Sequence, residues 1–171
     1  MCKFKKIRIC GASGSGKTHL GEKLQKLTNI KFTPLDNLRY DFSKTHKHEV
    51  KRSDKEARKL LDKLLKQKSW IIDGGYYTLS KDTYDDADLI IFLNPSFGKR
   101  FLNTLKRFFR RIKEGKHEGL KNYADLTLSN VKLRKVWDEE RPKLFKEMYD
   151  KKIHFFNSAD EAFDWFSKNS K

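Results

Sequence analysis

One stretch constrains this chain more than its composition does: GASGSGKT, Gly11 to Thr18, set between the apolar run KKIRIC and the amphipathic HLGEKLQKL. It fits GxxxxGK[ST] through Gly11, Gly16, Lys17 and Thr18. Glycines let the backbone curl so that successive N–H groups point at phosphate oxygens, and the helix that follows adds the positive end of its dipole. Lys17 then reaches the outer phosphates and Thr18 offers its hydroxyl to Mg²⁺. The run ahead reads as a buried strand, and Leu20, Leu24 and Leu27 share one face of a helix behind. Strand, loop and helix in this order are expected to bind a nucleoside triphosphate through Gly11, Ala12, Ser13, Gly14, Ser15, Gly16, Lys17 and Thr18. A dinucleotide fingerprint GxGxxG starting at Gly14 meets His19 at its third glycine and fails.

A bound phosphate needs a metal partner, and SWIIDGG supplies a carboxylate at the end of an apolar strand. Asp73 is therefore expected to hold Mg²⁺ opposite Thr18, through water. Asp36 closes the second strand, IKFTPLD, in the same way. DADLIIFLN is a fourth strand, with the continuous apolar run of a parallel strand covered on both faces, and KIHFFN a fifth. Helices are expected between them. Ala57, Leu60, Leu61, Leu64 and Leu65 form the apolar side of one, Ser96 to Lys113 another, and Asp125 to Asp150 a third that Pro142 bends or divides. The last starts at SADEAFDWF, where Ser158 and Glu161 fit a capping box. Alternation of this kind predicts an α/β fold, a three-layer P-loop NTPase with a five-stranded parallel sheet. The carboxyl ends of its strands gather at one edge, so Asp36, Asp73 and the loop face one crevice. At 171 residues the chain suits a single domain.

Charge bears on partners. Thirty-nine Lys and Arg against 23 Asp and Glu give +16, a field that attracts polyanions and ATP alike. Lysines run along the whole chain, interleaved with acids at helical spacing, as on solvated helix faces. Only Lys99 to Lys121 stands apart, with few acids. The longest apolar run, LIIFL, is far below the roughly 20 residues of a membrane-spanning helix, and the cytoplasm is the expected setting. Cys2 and Cys10 are too few for a disulfide framework or a four-cysteine zinc site. His46 and His48 in HKH have no further ligands around them. The FF pairs and tryptophans read as core.

Beyond the loop, PLDNLRY, SWIIDGGYY, ADLIIFLN, the basic LKRFFRR helix, LRKVWDEERPKL and the closing NSADEAFDWF resemble the adenylate-kinase-related group called DNA topology modulation protein FlaR. That group belongs to the nucleoside monophosphate kinase and shikimate kinase superfamily. The resemblance covers nearly the whole chain and implies a kinase-like fold with ATP and Mg²⁺ as cofactors. It implies an acceptor-binding region over about 44–68, a lid over about 113–124 and an adenine-side loop over Asn157 to Ala159. DNLR is similar to the D-x-L-R of adenylate kinases, so Arg39 is expected on an acceptor phosphate, with Asp36, Gly74, Gly75 and Tyr76 lining the acceptor side. DGGYY departs from the adenylate kinase D-G-[FY]-P-R, and Tyr77 stands where an AMP-binding arginine would be. The lid run GKHE has Glu118 at an arginine position.

Phosphoryl transfer needs cations, because its transition state spreads negative charge over the equatorial oxygens. Arg107 and Arg111 share a helix face beside the lid, and Arg134 begins the return helix. With Lys17 they are the expected catalytic cations, against the alternative of a basic solvent face around Phe101, Leu105, Phe108 and Ile112. For a hydroxyl acceptor Asp36 is also placed to act as general base; a phosphate acceptor needs none. The expected function is a phosphotransferase moving the γ-phosphate of ATP to a nucleotide or other small molecule, as a monomer or homodimer. The alternatives are an NTP-responsive regulator that binds nucleic acid through its basic surface, and a plain ATPase.

Overall fold

The computed structural model describes residues 2–41, 50–74, 77–113, 128 and 131–170. Its centre is a five-stranded, all-parallel sheet in the order β2-β5-β1-β6-β7, built from β1 (Lys6–Gly11), β2 (Phe32–Pro34), β5 (Trp70–Asp73), β6 (Leu89–Leu93) and β7 (Ile153–Phe156). From β1 the chain passes to the edge strand β2, returns inward through β5 and then crosses β1 to β6 and β7, so the outgoing connections diverge beside β1 and a crevice opens at the carboxyl ends there. All five expected strands are present.

Strand parity sorts the core into two layers, because successive side chains of a strand point to opposite faces. Ile7, Ile9, Ile71, Leu89, Ile91 and Leu93 pack beneath Leu20 and Leu24 of α1 (Lys17–Thr28) and Ala162 and Phe166 of α7 (Ala159–Asn169). The opposite parity, Cys10, Trp70, Ile72, Ile90 and Phe92, packs against Leu61 and Leu64 of α3 (Asp54–Leu65), Tyr84 of α4 (Tyr77–Asp85) and Phe145 and Tyr149 of α6 (Arg141–Tyr149). Sheet and two helical layers make the three-layer sandwich. Two short elements have no counterpart in the sequence reading: α2 (Leu35–Arg39), and an antiparallel ribbon of β3 (Tyr40–Asp41) with β4 (Val50–Lys51).

Several local expectations shift. α3 begins at Asp54, fixed by a full capping box between Ser53 and Glu56, so the helix excludes Val50 and Lys51, which form β4 instead. Leu60 lies on the flank of the apolar stripe and is 38% exposed. Leu27 is also exposed, since it sits in the last turn of α1 beyond the reach of the sheet. Ser158 accepts from the Glu161 N–H as expected, but the Glu161 carboxylate returns to the Asn157 N–H and not to that of Ser158. α5 (Phe97–Lys113) keeps Phe101, Leu105 and Phe108 half-buried while Ile112 and Phe109 are exposed. Phe155 is exposed too, on the sheet-edge strand β7. Pro142 does divide its helix: ahead of it, Val136–Glu140 form a π turn in which the Arg141 N–H donates to the Val136 carbonyl. Without an N–H of its own, Pro142 cannot donate the next α-helical bond, and the extra residue is accommodated in the π turn. His46, His48 and Glu118, with 44–49 of the acceptor-binding region and 114–124 of the lid, lie outside the described residues.

Candidate active site

The loop from β1 to α1 turns through positive φ at Gly11 (138°), Gly14 (77°) and Gly16 (95°). Two of these glycines also answer to space. A Cβ on Gly11 would stand 2.3 Å from the Leu93 carbonyl oxygen, and one on Gly14 would stand 2.5 Å from that of Arg100. The loop is thus wedged between the end of β6 and the first turns of α5, where the Asn103 side-chain amide donates to the Gly14 carbonyl at 2.9 Å. Lys17 folds back over the loop, its Nζ donating to the Ala12 carbonyl at 2.7 Å with Ser15 Oγ at 3.5 Å. Burial pushes this ammonium below its usual range, while the charges of Asp73 and Asp36 oppose the shift.

Asp73 reaches the same place by parity and register. It stands beside Ile9 of β1 and shares the sheet face of Ile71, the face that α1 covers. The Thr18 hydroxyl donates to Asp73 Oδ2 at 2.9 Å. Asp73 is 3% exposed, and that burial raises its carboxyl above the usual range; the Lys17 charge, the Thr18 bond and the Arg8 charge pull it down. A hydroxyl and a carboxylate oxygen side by side at the loop are hard donors of the kind Mg²⁺ takes, one or two protein oxygens with substrate phosphates and waters completing the shell.

Asp36 does not end β2. It lies two residues past the strand in α2, solvent-exposed, yet its charge acts on both Lys17 and Asp73. The expected crevice therefore brings together the loop, Asp73 and Asp36. Arg39, at the far end of α2, is paired with Asp54, the first residue of α3. Gly74 follows Asp73 at φ 130°; Gly75 and Tyr76 lie outside the described residues. Arg107 is exposed on α5, and the side chain of Arg111 lies outside the described part of that helix. Arg134 sits on the return helix, 3.6 Å from Asp138. Of the adenine-side loop, Ala159 approaches Gly16 to 3.3 Å from a Cβ built there.

One residue escaped the sequence reading. Arg8, in the middle of β1, is wholly buried, and all five of its N–H donors are used. Nε donates to Thr83 Oγ1 at 2.8 Å, Nη1 to the carbonyls of Ile9 (2.8 Å) and Ile72 (3.2 Å), and Nη2 to the Gly74 carbonyl (2.7 Å) and Tyr84 hydroxyl (3.2 Å). Its guanidinium also lies 4.5 Å over the Tyr84 ring. Arg8 thus ties the end of β5 and Gly74 to Thr83 and Tyr84 of α4. The one available signal was an arginine in an otherwise apolar strand, a buried charge that must find several acceptors.

No protein-family model matches the chain, and no curated protein sequence matches it. Among solved structures, the chain is similar to shikimate kinase from Bacteroides thetaiotaomicron at 16% identity and a TM-score of 0.59, over 96% of either chain. Shikimate kinase from Acinetobacter baumannii in complex with shikimate matches at 17% identity and a TM-score of 0.57, over 97% of this chain and 90% of that one. A gluconokinase from Sinorhizobium meliloti 1021 matches at 12% identity and a TM-score of 0.55, over 97% of this chain and 93% of the other. The fold is that of the shikimate-kinase-like P-loop proteins.

Proposed function

We propose that the chain is a Mg²⁺- and ATP-dependent phosphotransferase acting on the hydroxyl group of a small metabolite. The observation that carries this reading is the convergence at one sheet edge of the phosphate loop, the Thr18–Asp73 pair and the exposed carboxylate of Asp36. The names of the structural neighbours, shikimate kinase and gluconokinase, support a kinase for a small molecule. Sequence elements shared with the adenylate-kinase-related, FlaR-like group suit the same catalytic plan, and the cytoplasm, where Mg·ATP is plentiful, suits the reaction.

In this plan the loop N–H groups, from Gly11 to Thr18, and Lys17 hold the outer phosphates of ATP. The Thr18 hydroxyl and the Asp73 carboxylate would hold Mg²⁺, which when bound would supply positive charge against the phosphates. Asp36 takes the proton of the acceptor hydroxyl as its oxygen bonds to the γ-phosphorus, and the bond from that phosphorus to the bridging oxygen breaks to release ADP. Lys17, Arg107, Arg111 and Arg134 offset the charge that spreads over the transferring group. The acceptor side is lined by Asp36, Arg39, Gly74, Gly75 and Tyr76. A hydroxyl acceptor is favoured over a phosphate acceptor because Arg39 is committed to Asp54, and because a base such as Asp36 serves a hydroxyl only.

The test is incubation with Mg·ATP and two panels, nucleoside monophosphates and hydroxyl-bearing sugars, polyols and hydroxy acids. Transfer to a member of the second and to none of the first is expected. Transfer to a monophosphate would replace the hydroxyl reading by a nucleotide kinase, and slow hydrolysis alone would leave a plain ATPase. A second reading, NTP-gated nucleic-acid binding, draws on the exposed Lys99, Lys106, Arg107, Arg110 and Lys113 of α5; RNA affinity lost at physiological salt would end it.

A further inference from the structure

α5 and the helix returning toward α6 meet through an ion pair between a buried arginine and a half-buried aspartate, and the phosphate loop packs against the backbone of that arginine. Arg100, in the first turn of α5, is 1% exposed. Its Nη2 bonds Asp138 Oδ1 at 2.6 Å, its Nη1 donates to the Pro95 carbonyl at 2.7 Å, and its Nε has no partner among the described residues. The other carboxylate oxygen of Asp138 lies 3.6 Å from Nε of Arg134, one helical turn earlier. Arg134 itself is 65% exposed, with its guanidinium 5.2 Å over the ring of Phe97, the first residue of α5. One carboxylate thus holds two arginines, an interior one and a surface one.

The interior arginine is in register with the loop. Its carbonyl oxygen is the atom that forbids a side chain at Gly14, and Asn103, three residues on, bonds the Gly14 carbonyl. A continuous path of contacts runs from Gly14 through the first turns of α5 and Arg100 to Asp138 and then to Arg134. Stability alone is a poor reason for such a pair, since an ion pair taken partly out of water returns little net free energy over apolar packing. Asp138 also stands inside the π turn Val136–Glu140, a distortion that weakens helical bonding and is frequent where a functional side chain has to be aimed.

We infer that Asp138 is a positioning residue for Arg134, anchored through Arg100 to the phosphate loop so that the exposed guanidinium is held ready for the charge of the transferring phosphoryl group. The inference rests on the phosphotransfer reading and deepens it. Arg134 is the cation that acts, and Asp138 and Arg100 set where it acts.

The experiment is a double-mutant cycle on Asp138→Asn and Arg134→Ala, reading binding of the imido analogue of Mg·ATP by calorimetry and turnover of Mg·ATP by ADP release. Asp138→Asn is expected to keep analogue affinity within about threefold while turnover falls roughly tenfold or more. The double variant is expected to turn over no more slowly than Arg134→Ala alone, because the two residues act as one unit. Asp138→Glu, which keeps the charge, should recover part of the loss and carries the same cycle if Asp138→Asn does not fold. Additive losses, wild-type turnover in Asp138→Asn, or an equal fall in analogue affinity would each overturn the inference. Failure of the wild type to bind or turn over Mg·ATP would instead overturn the phosphotransfer reading, and the inference with it.

Discussion

Arg8 shows how much a single side chain decides at the residue scale. A guanidinium buried against a parallel sheet satisfies its five donors with carbonyls of β1, β5 and Gly74, the hydroxyl of Thr83 and the phenol of Tyr84, and no carboxylate is among these bonding partners. Its positive charge is felt by Asp73 and by the neighbouring Cys10, whose thiol burial pushes up to about 12. That shift has a definite consequence for stability. The thiol stays protonated in the fold while an unfolded chain loses the proton near pH 9, so between pH 9 and 12 the native state binds more protons than the unfolded one. Stability from this group is therefore complete below pH 9 and falls as pH rises, by about 1.4 kcal/mol per unit. Urea titrations at pH 8 and pH 10 should show a smaller alkaline loss in Cys10→Ala than in the wild type, and parallel losses would refute the assignment.

At the scale of elements, caps and turns carry more than periodicity revealed. Ser53 and Glu56 satisfy each other's backbone donors at the start of α3, and Asp54 in its first turn pairs with Arg39 of α2. Arg52 meanwhile donates to the carbonyls of Asn37 and Tyr40, which ties the β3–β4 ribbon to α2. One cap therefore serves both the helix and the segment that places Asp36. Ser53→Ala is expected to cost about 1 kcal/mol, measured as a lower urea midpoint at unchanged slope. No change in midpoint would mean that α3 is set by Leu61 and Leu64 alone. Ser53 with Glu56 fits the S-x-x-E capping pattern, as legible in the sequence as Ser158 with Glu161; the ribbon was not, since two-residue strands carry no periodicity.

For the molecule as a whole, the sheet order puts β1 between the halves of the fold, with the phosphate loop and Asp73 at the carboxyl edge. A ligand that binds only the folded state stabilises it by about 2.7 kcal/mol at a hundredfold excess over its dissociation constant. In a chain of this size that corresponds to roughly 5–10 °C in melting temperature. Mg·ATP should raise the midpoint by this amount in the wild type and leave Lys17→Ala unmoved, as followed by differential scanning fluorimetry. A rise of equal size in Lys17→Ala would place nucleotide binding elsewhere, on the +16 surface for example.

The phosphate loop, the five strands and the acid that ends β5, Asp73, were legible from the chain alone, because each is a local pattern: a glycine spacing, an apolar run, an acid at a strand end; Asp36, read in the same way, lies instead in α2. Periodicity placed Leu20, Leu24, Leu61 and Leu64 in the core correctly and misjudged Leu27 and Leu60, since it gives a face but not how far a neighbour extends beneath it. What only the tertiary structure decided are the relations between residues far apart in sequence. Arg8 with Gly74, Thr18 with Asp73, Arg39 with Asp54 and Arg100 with Asp138 are pairings of groups 15 to 66 residues apart. Charge and hydrogen-bonding capacity are written in the residue type, but which acceptor satisfies a buried donor is set by strand order and register, which no local pattern contains.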